Sequence, residues 1–145
     1  MIKQRYQSII VRTVCSLLIP FMQLFALYVI VHGHYGPGGG FQGGALLAVS
    51  IILQRLYLGR EVSYQKFSPK LALALAAIGM LIFGLSGIIP MVTGGAFLDY
   101  AYLPIPWVHG AELRALGILI VEIGIGLAVF GTLVLIFDSL VGERW

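Results

Sequence analysis

Glu122 stands inside the apolar run Gly117-Ile-Leu-Ile-Val-Glu-Ile-Gly-Ile-Gly-Leu-Ala-Val, where no water is at hand to solvate a carboxylate. An ionisable group in hydrocarbon is costly, and it is expected either to serve an ion path or to hold helices together. Gln23, one turn after Pro20 in another apolar run, is expected at similar depth. There it can hydrogen-bond to Glu122 or to backbone groups freed by the proline. His32 and His34 form a His-x-His pair, suited to interfacial hydrogen bonding and, because histidine titrates near neutral pH, to passing protons. Glu122, Gln23, His32 and His34 are thus the candidates for an ion path. No metal centre is expected, since the histidine pair lacks a third ligand and one carboxylate cannot supply the roughly six oxygens a hard cation wants. No nucleophile–base pair is visible, so no catalytic residue, enzyme activity or cofactor is expected. Cys15, the single cysteine, cannot form an intrachain disulfide.

These groups must be positioned by membrane helices. The chain has 145 residues, 59% hydrophobic and only 10% charged, with a mean hydropathy of +0.98. Soluble domains carry about a quarter charged residues. The pattern predicts one integral membrane domain over 1–145, all-α, with four spanning helices at about 13–32, 38–58, 70–90 and 111–137. The basic start Met1-Ile-Lys-Gln-Arg-Tyr leads into a run of spanning length, which reads as a retained helix and not a cleaved signal.

Charge sets the expected orientation. Lys3, Arg5 and Arg12 precede the first helix, Arg55, Arg60, Lys66 and Lys70 surround the connection between the second and third, and Arg144 follows the fourth. Arg114 alone falls on the other side. Cationic residues stay on the cytoplasmic face during insertion, so both termini are predicted to be cytoplasmic. The formal charge of +3 then reflects topology and gives no sign of nucleic-acid binding. Tyr100, Tyr102 and Trp107, in the long loop at residues 94–107, fit an interfacial aromatic belt. Asp99 of that loop is expected to be solvated, while Glu112, beside His109, suits the start of the fourth helix.

Glycine dominates the opening of the second helix. His32-Gly-His-Tyr-Gly-Pro-Gly-Gly-Gly-Phe-Gln-Gly-Gly places six glycines between residues 36 and 44. The apolar stretch that follows, residues 45–58, covers only about 21 Å at helical rise, against a hydrocarbon core of about 30 Å. Either the helix begins inside the glycine motif, with Pro37 at its first position, or a half-helix follows an unwound segment, as at transporter sites. In the first case Gly36, Gly40, Gly44 and Ala48 recur every four residues, a stripe that admits close backbone approach. Pro37, Gly38, Gly39, Gly40, Gly43 and Gly44 are therefore assigned to helix packing, with a partner subunit as the expected neighbour. A phosphate loop is excluded, because its Lys-Ser/Thr ending is missing.

The third helix places Ala72, Gly79 and Ser86 seven apart and reads as scaffold. In the fourth, Gly117, Gly124 and Gly131 recur every seven residues and also belong to helix packing. Glu122 lies about 160° around the axis from Gly124, one turn from Gly126. Both faces have room for a close neighbour, so this helix is expected to sit between its own bundle and another subunit.

The glycine motif, followed by Ala-Leu-Leu-Ala, and the segment around Glu122 resemble the signatures of the MnhB/MrpB family, small subunits of the multisubunit Mrp/Mnh-type cation/proton antiporters. The resemblance covers nearly the whole chain. It implies a non-catalytic subunit of a hetero-oligomeric complex in a prokaryotic plasma membrane, exchanging Na+ for H+ beside large, complex I-like antiporter subunits. The small subunits are expected to join the larger ones and help form the cation route. Related subunits in hydrogenase-type and other complex I-related respiratory complexes give the alternative, in which redox chemistry on other polypeptides drives sodium or proton transport. Hydrogenase or quinone-reductase genes beside this one would favour that alternative.

Overall fold

The computed structural model describes residues 8–33, 35 and 38–142. Its elements are α1 (Ile9–His32), α2 (Gly40–Leu58), α3 (Arg60–Lys66), α4 (Pro69–Val92), a 3-10 turn (Tyr100–Tyr102) and α5 (Ala111–Gly142). Four of these, α1, α2, α4 and α5, are long and apolar enough to cross a membrane. Their long apolar stretches leave internal hydrogen bonding as the means of satisfying backbone N–H and C=O groups in hydrocarbon.

Local signals account for several helix ends. Ser68 caps α4 by accepting from Leu71 N at 3.2 Å, and Pro69 takes the first position, where its missing N–H costs nothing. At the far end of α4, the Thr93 hydroxyl donates to Tyr102 O at 2.7 Å, tying the helix to the loop that follows. Asp99, half-buried, accepts from Ala101 N at 3.3 Å and caps the 3-10 turn. The buried serines of the spans, Ser50 and Ser86, donate to the carbonyls of Leu47 and Phe83, both at 2.7 Å.

The spanning helices follow the order α1–α2–α5–α4 in space. α2 packs extensively on both α1 and α5, and α5 also packs extensively on α4. α2 and α5 run parallel, since Gly40 meets Glu122, Gly44 meets Gly126 and Arg55 meets Asp138. α4 and α5 run antiparallel, with Gly79 against Gly124 and Ala128, and Gly131 against Ala72 and Ala76. Ala48, Ile51, Ala72, Phe130 and Val134 form the buried apolar core towards the α3 end.

Both faces of α5 are therefore occupied from within the chain. This corrects the expectation that one would await another subunit: α4 covers the Gly124 and Gly131 side, and α2 covers the Glu122 and Gly126 side. Gly117 receives the ring of Tyr100 from the loop. The same correction applies to Gly40 and Gly44, whose close neighbour is α5 of the same chain. The physical reason is length: a 32-residue α5 extends beyond α2 and offers small-residue notches along two sides, which its own chain can reach.

Candidate functional site

The described residues of the glycine motif hold the end of α1 and the start of α2. α1 ends at Gly33, and α2 opens at Gly40 with Gly39 as its N-cap. Gly38 and Gly39 have φ of +142° and +155°, a conformation that L side chains rarely adopt. α2 consequently starts two residues after the expected position 38, and the helical turn does not extend back through Gly38. Its 19 residues reach about 28 Å, close to the core thickness, because the helix does start within the motif. His34 and Pro37, along with Gly36, lie outside the described residues.

Glu122 of α5 is seated at this junction. A Cβ built on Gly33 would lie 2.5 Å from its Oε1 and 2.8 Å from Oε2, and one on Gly39 would lie 3.1 Å from Oε1. The carboxyl group thus sits between the last turn of α1 and the first turn of α2. A Cβ at Gly40 would overlap the backbone carbonyl of Glu122, and one turn on, a Cβ at Gly44 would overlap that of Gly126. On its other side α2 meets α1, where Gly43 faces Ala26 O and Ile30. The N-terminus of a helix carries partial positive charge and N–H groups without partners in the helix. Gly39 has no side-chain cap, and the carboxylate facing that end comes from a different helix.

The other candidates are placed differently. Gln23 lies ten residues before Gly33, about 15 Å down α1, so it does not share the depth of Glu122. The reason is that α1 and α2 turn at the level of Glu122 while α5 continues past it. His32 is exposed, with Nδ1 3.2 Å from Tyr28 O and its ring stacked on Tyr28 at 4.2 Å between centroids. It is thereby engaged with its own helix. Among the described residues, no group of three His, Cys, Asp or Glu side chains is placed to hold a metal. Outside the spans, burial pushes the Tyr100 hydroxyl above its ordinary pKa.

A second charged centre lies at the α3 end, and the sequence reading does not single it out. Arg55 Nη2 of α2 and Asp138 Oδ2 of α5 are 2.9 Å apart, with the two side chains 3% and 9% exposed. The Arg55 guanidinium lies 4.5 Å above the ring of Tyr64, and that of Arg60 lies 5.1 Å from the same ring. In the sequence Arg55 counts only as one of the orienting cations, and Asp138 falls one residue past the predicted end of the fourth helix. A cation and an acid near the same ends of two spans is the signal that could have found the pair.

Comparison with known proteins gives the family. The family model described as "Domain related to MnhB subunit of Na+/H+ antiporter" matches residues 10–135. The chain is 33% identical over 140 residues to the "Putative antiporter subunit mnhB2" of Staphylococcus haemolyticus, covering 94% of this chain and 96% of that protein. It is equally identical over 138 residues to the protein of that name from Staphylococcus aureus strain Newman, with the same coverage. A helical membrane protein with four candidate spans, matched over almost its whole length, the chain belongs to the MnhB family of Na+/H+ antiporter subunits.

Proposed function

We propose that this chain is a non-catalytic membrane subunit of a multisubunit Na+/H+ antiporter, helping to assemble the complex and contributing Glu122 to its cation route. Both termini and α3 then lie on the cytoplasmic side, as the distribution of Arg and Lys favours. The α1–α2 junction lies towards the outside. The relatives named as antiporter subunits support the setting.

The observation that carries the role is the seat of Glu122. The carboxyl group of this acid inside a spanning helix lies against Gly33 and Gly39. The first turn of α2 lies against that carboxyl group, and a helix N-terminus, with its partial positive charge and unpaired N–H groups, favours an anionic neighbour. A carboxylate so placed can exchange a proton for a monovalent cation arriving from a neighbouring subunit.

The test is Na+-dependent proton movement in everted vesicles from antiporter-deficient cells carrying the whole complex. Glu122→Gln keeps the side-chain shape and removes the charge. Exchange should fall while the complex still purifies intact. Normal exchange in the assembled variant would refute the role of Glu122.

A further inference from the structure

We propose that Arg55 and Asp138 are positioning residues for Glu122: their buried ion pair fixes the axial register of α2 on α5 and so holds the first turn of α2 against the Glu122 carboxyl group. Only the transport consequence rests on the reading of Glu122 given above. The register is read from the packing.

The two parallel helices are joined at two levels. Gly40 to Arg55 spans 15 residues of α2, and Glu122 to Asp138 spans 16 residues of α5, about 22 and 24 Å at helical rise. At the junction end the contact is smooth. Gly40 and Gly44 meet the backbone of Glu122 and Gly126, so the helices approach closely and these two α2 positions bring no polar side chain to the contact. The residues leading into α2, Gly38 and Gly39, are of the type that loses the most freedom when ordered and so do little to hold the helix in place.

The α3 end supplies what the glycine faces lack. Arg55 and Asp138 form an ion pair at 2.9 Å, and in a desolvated setting its disruption leaves a buried charge without its partner. Arg55 is clamped further by the ring of Tyr64 from α3, which also carries the guanidinium of Arg60 on it. Arg55 Nε and Nη1 and Ser63 Oγ are buried without a hydrogen-bond partner among the described residues. Among the described residues, Asp138 is the carboxylate paired with the Arg55 charge. A slip of α2 by one residue moves its first turn by about 1.5 Å. That is enough to take Gly39 off the carboxyl group.

Replacing both members of a buried ion pair by apolar residues often leaves stability unchanged or improved. The pair Arg55→Met with Asp138→Leu therefore removes the register lock without leaving a charge uncompensated. In the intact complex, Glu122 is labelled with dicyclohexylcarbodiimide, a reagent for carboxyl groups in membranes, and modification at residue 122 is followed by mass spectrometry. The double variant should label faster than the parent chain. Its half-saturating Na+ concentration for exchange should rise, by up to about a hundredfold, the scale on which a misplacement of about 1 Å acts. The charge swap Arg55→Asp with Asp138→Arg should return both readings towards the parent values. Unchanged labelling of Glu122 in the double variant overturns the proposal, because a staple that only stabilises the fold would not alter that site. Should the double variant fail to assemble, Arg55→Lys, which keeps the charge but loses the planar fork, takes its place, with parent-like labelling again the overturning result. If labelling changes while Glu122→Gln leaves exchange intact, the register role stands and the cation-route reading falls.

Discussion

Gly40 and Glu122 meet backbone to backbone: a Cβ at position 40 would overlap the carbonyl oxygen of residue 122. The contact that brings the glycine motif to α5 therefore depends on the absence of a side chain. Gly40→Ala should destabilise the chain by about 1–3 kcal/mol or more, as overpacking does, and Gly44→Leu should prevent assembly. Gly84 of α4 has nothing within 4 Å of its Cβ position. There Ala is favoured by helix propensity alone, by about 1 kcal/mol, and should be neutral or stabilising. Thermal aggregation of the purified complex measures the two alanine variants, and recovery of the intact complex on purification measures Gly44→Leu.

Glu122 and Gln23 should separate in function as they do in space. Glu122→Gln is expected to lower Na+-dependent proton exchange by about tenfold or more, on the scale of removing one group that stabilises charge. Gln23→Leu should leave exchange within about twofold of the parent chain, because it lies about 15 Å from the junction along α1. A loss in the second variant equal to that in the first would place the path along α1 instead.

The loop between α4 and α5 docks by filling notches. Phe97 occupies the space beside Gly87, Tyr100 that beside Gly117, and Tyr102 that beside Gly95. Gly87→Ala should expel Phe97 and expose residues 93–110 to protease, while the helices keep their circular dichroism. Phe97→Ala should give the same exposure without altering α4.

Tyr100 adds a pH dependence to that loop. Burial pushes its hydroxyl above the ordinary value, so the docked loop favours the neutral phenol. The undocked loop ionises first, near pH 10. Docking is then fully supported below that value and weakens as pH rises through the higher pKa of the docked state. Protease sensitivity of the loop should increase above about pH 10, and Tyr100→Phe should remove this part of the pH response.

Gly38→Ala tests the strained entry to α2. Its φ of +142° disfavours any side chain, and a Cβ would lie 2.9 Å from Val29 Cγ1. The expected cost is about 1–3 kcal/mol, seen as a lower melting temperature of the complex. Gly59 also has positive φ, +81°, but open space around it. Gly59→Ala should cost less, and the difference between the two measures the contact with α1.

Much of this architecture was readable in the order of residues. Spans need long apolar runs, so the four helices followed from composition and spacing alone, and Glu122 stood out as an acid inside one of them. Close-packed glycines also announce themselves, because nothing else explains small residues recurring along a helix face. Which surface fills a glycine face is another matter. Periodicity shows that a notch exists on α5 but not whether α2, α4 or a separate subunit enters it, since that depends on which helices lie side by side. Depth is hidden for the same reason: Gln23 and Glu122 each sit well inside an apolar run, yet α1 turns back at the level where Glu122 begins its contact with α2. The Arg55–Asp138 pair shows the limit most clearly. Each residue alone resembles an ordinary charge near a helix end. Only the parallel packing of α2 on α5 removes both from solvent and makes them partners.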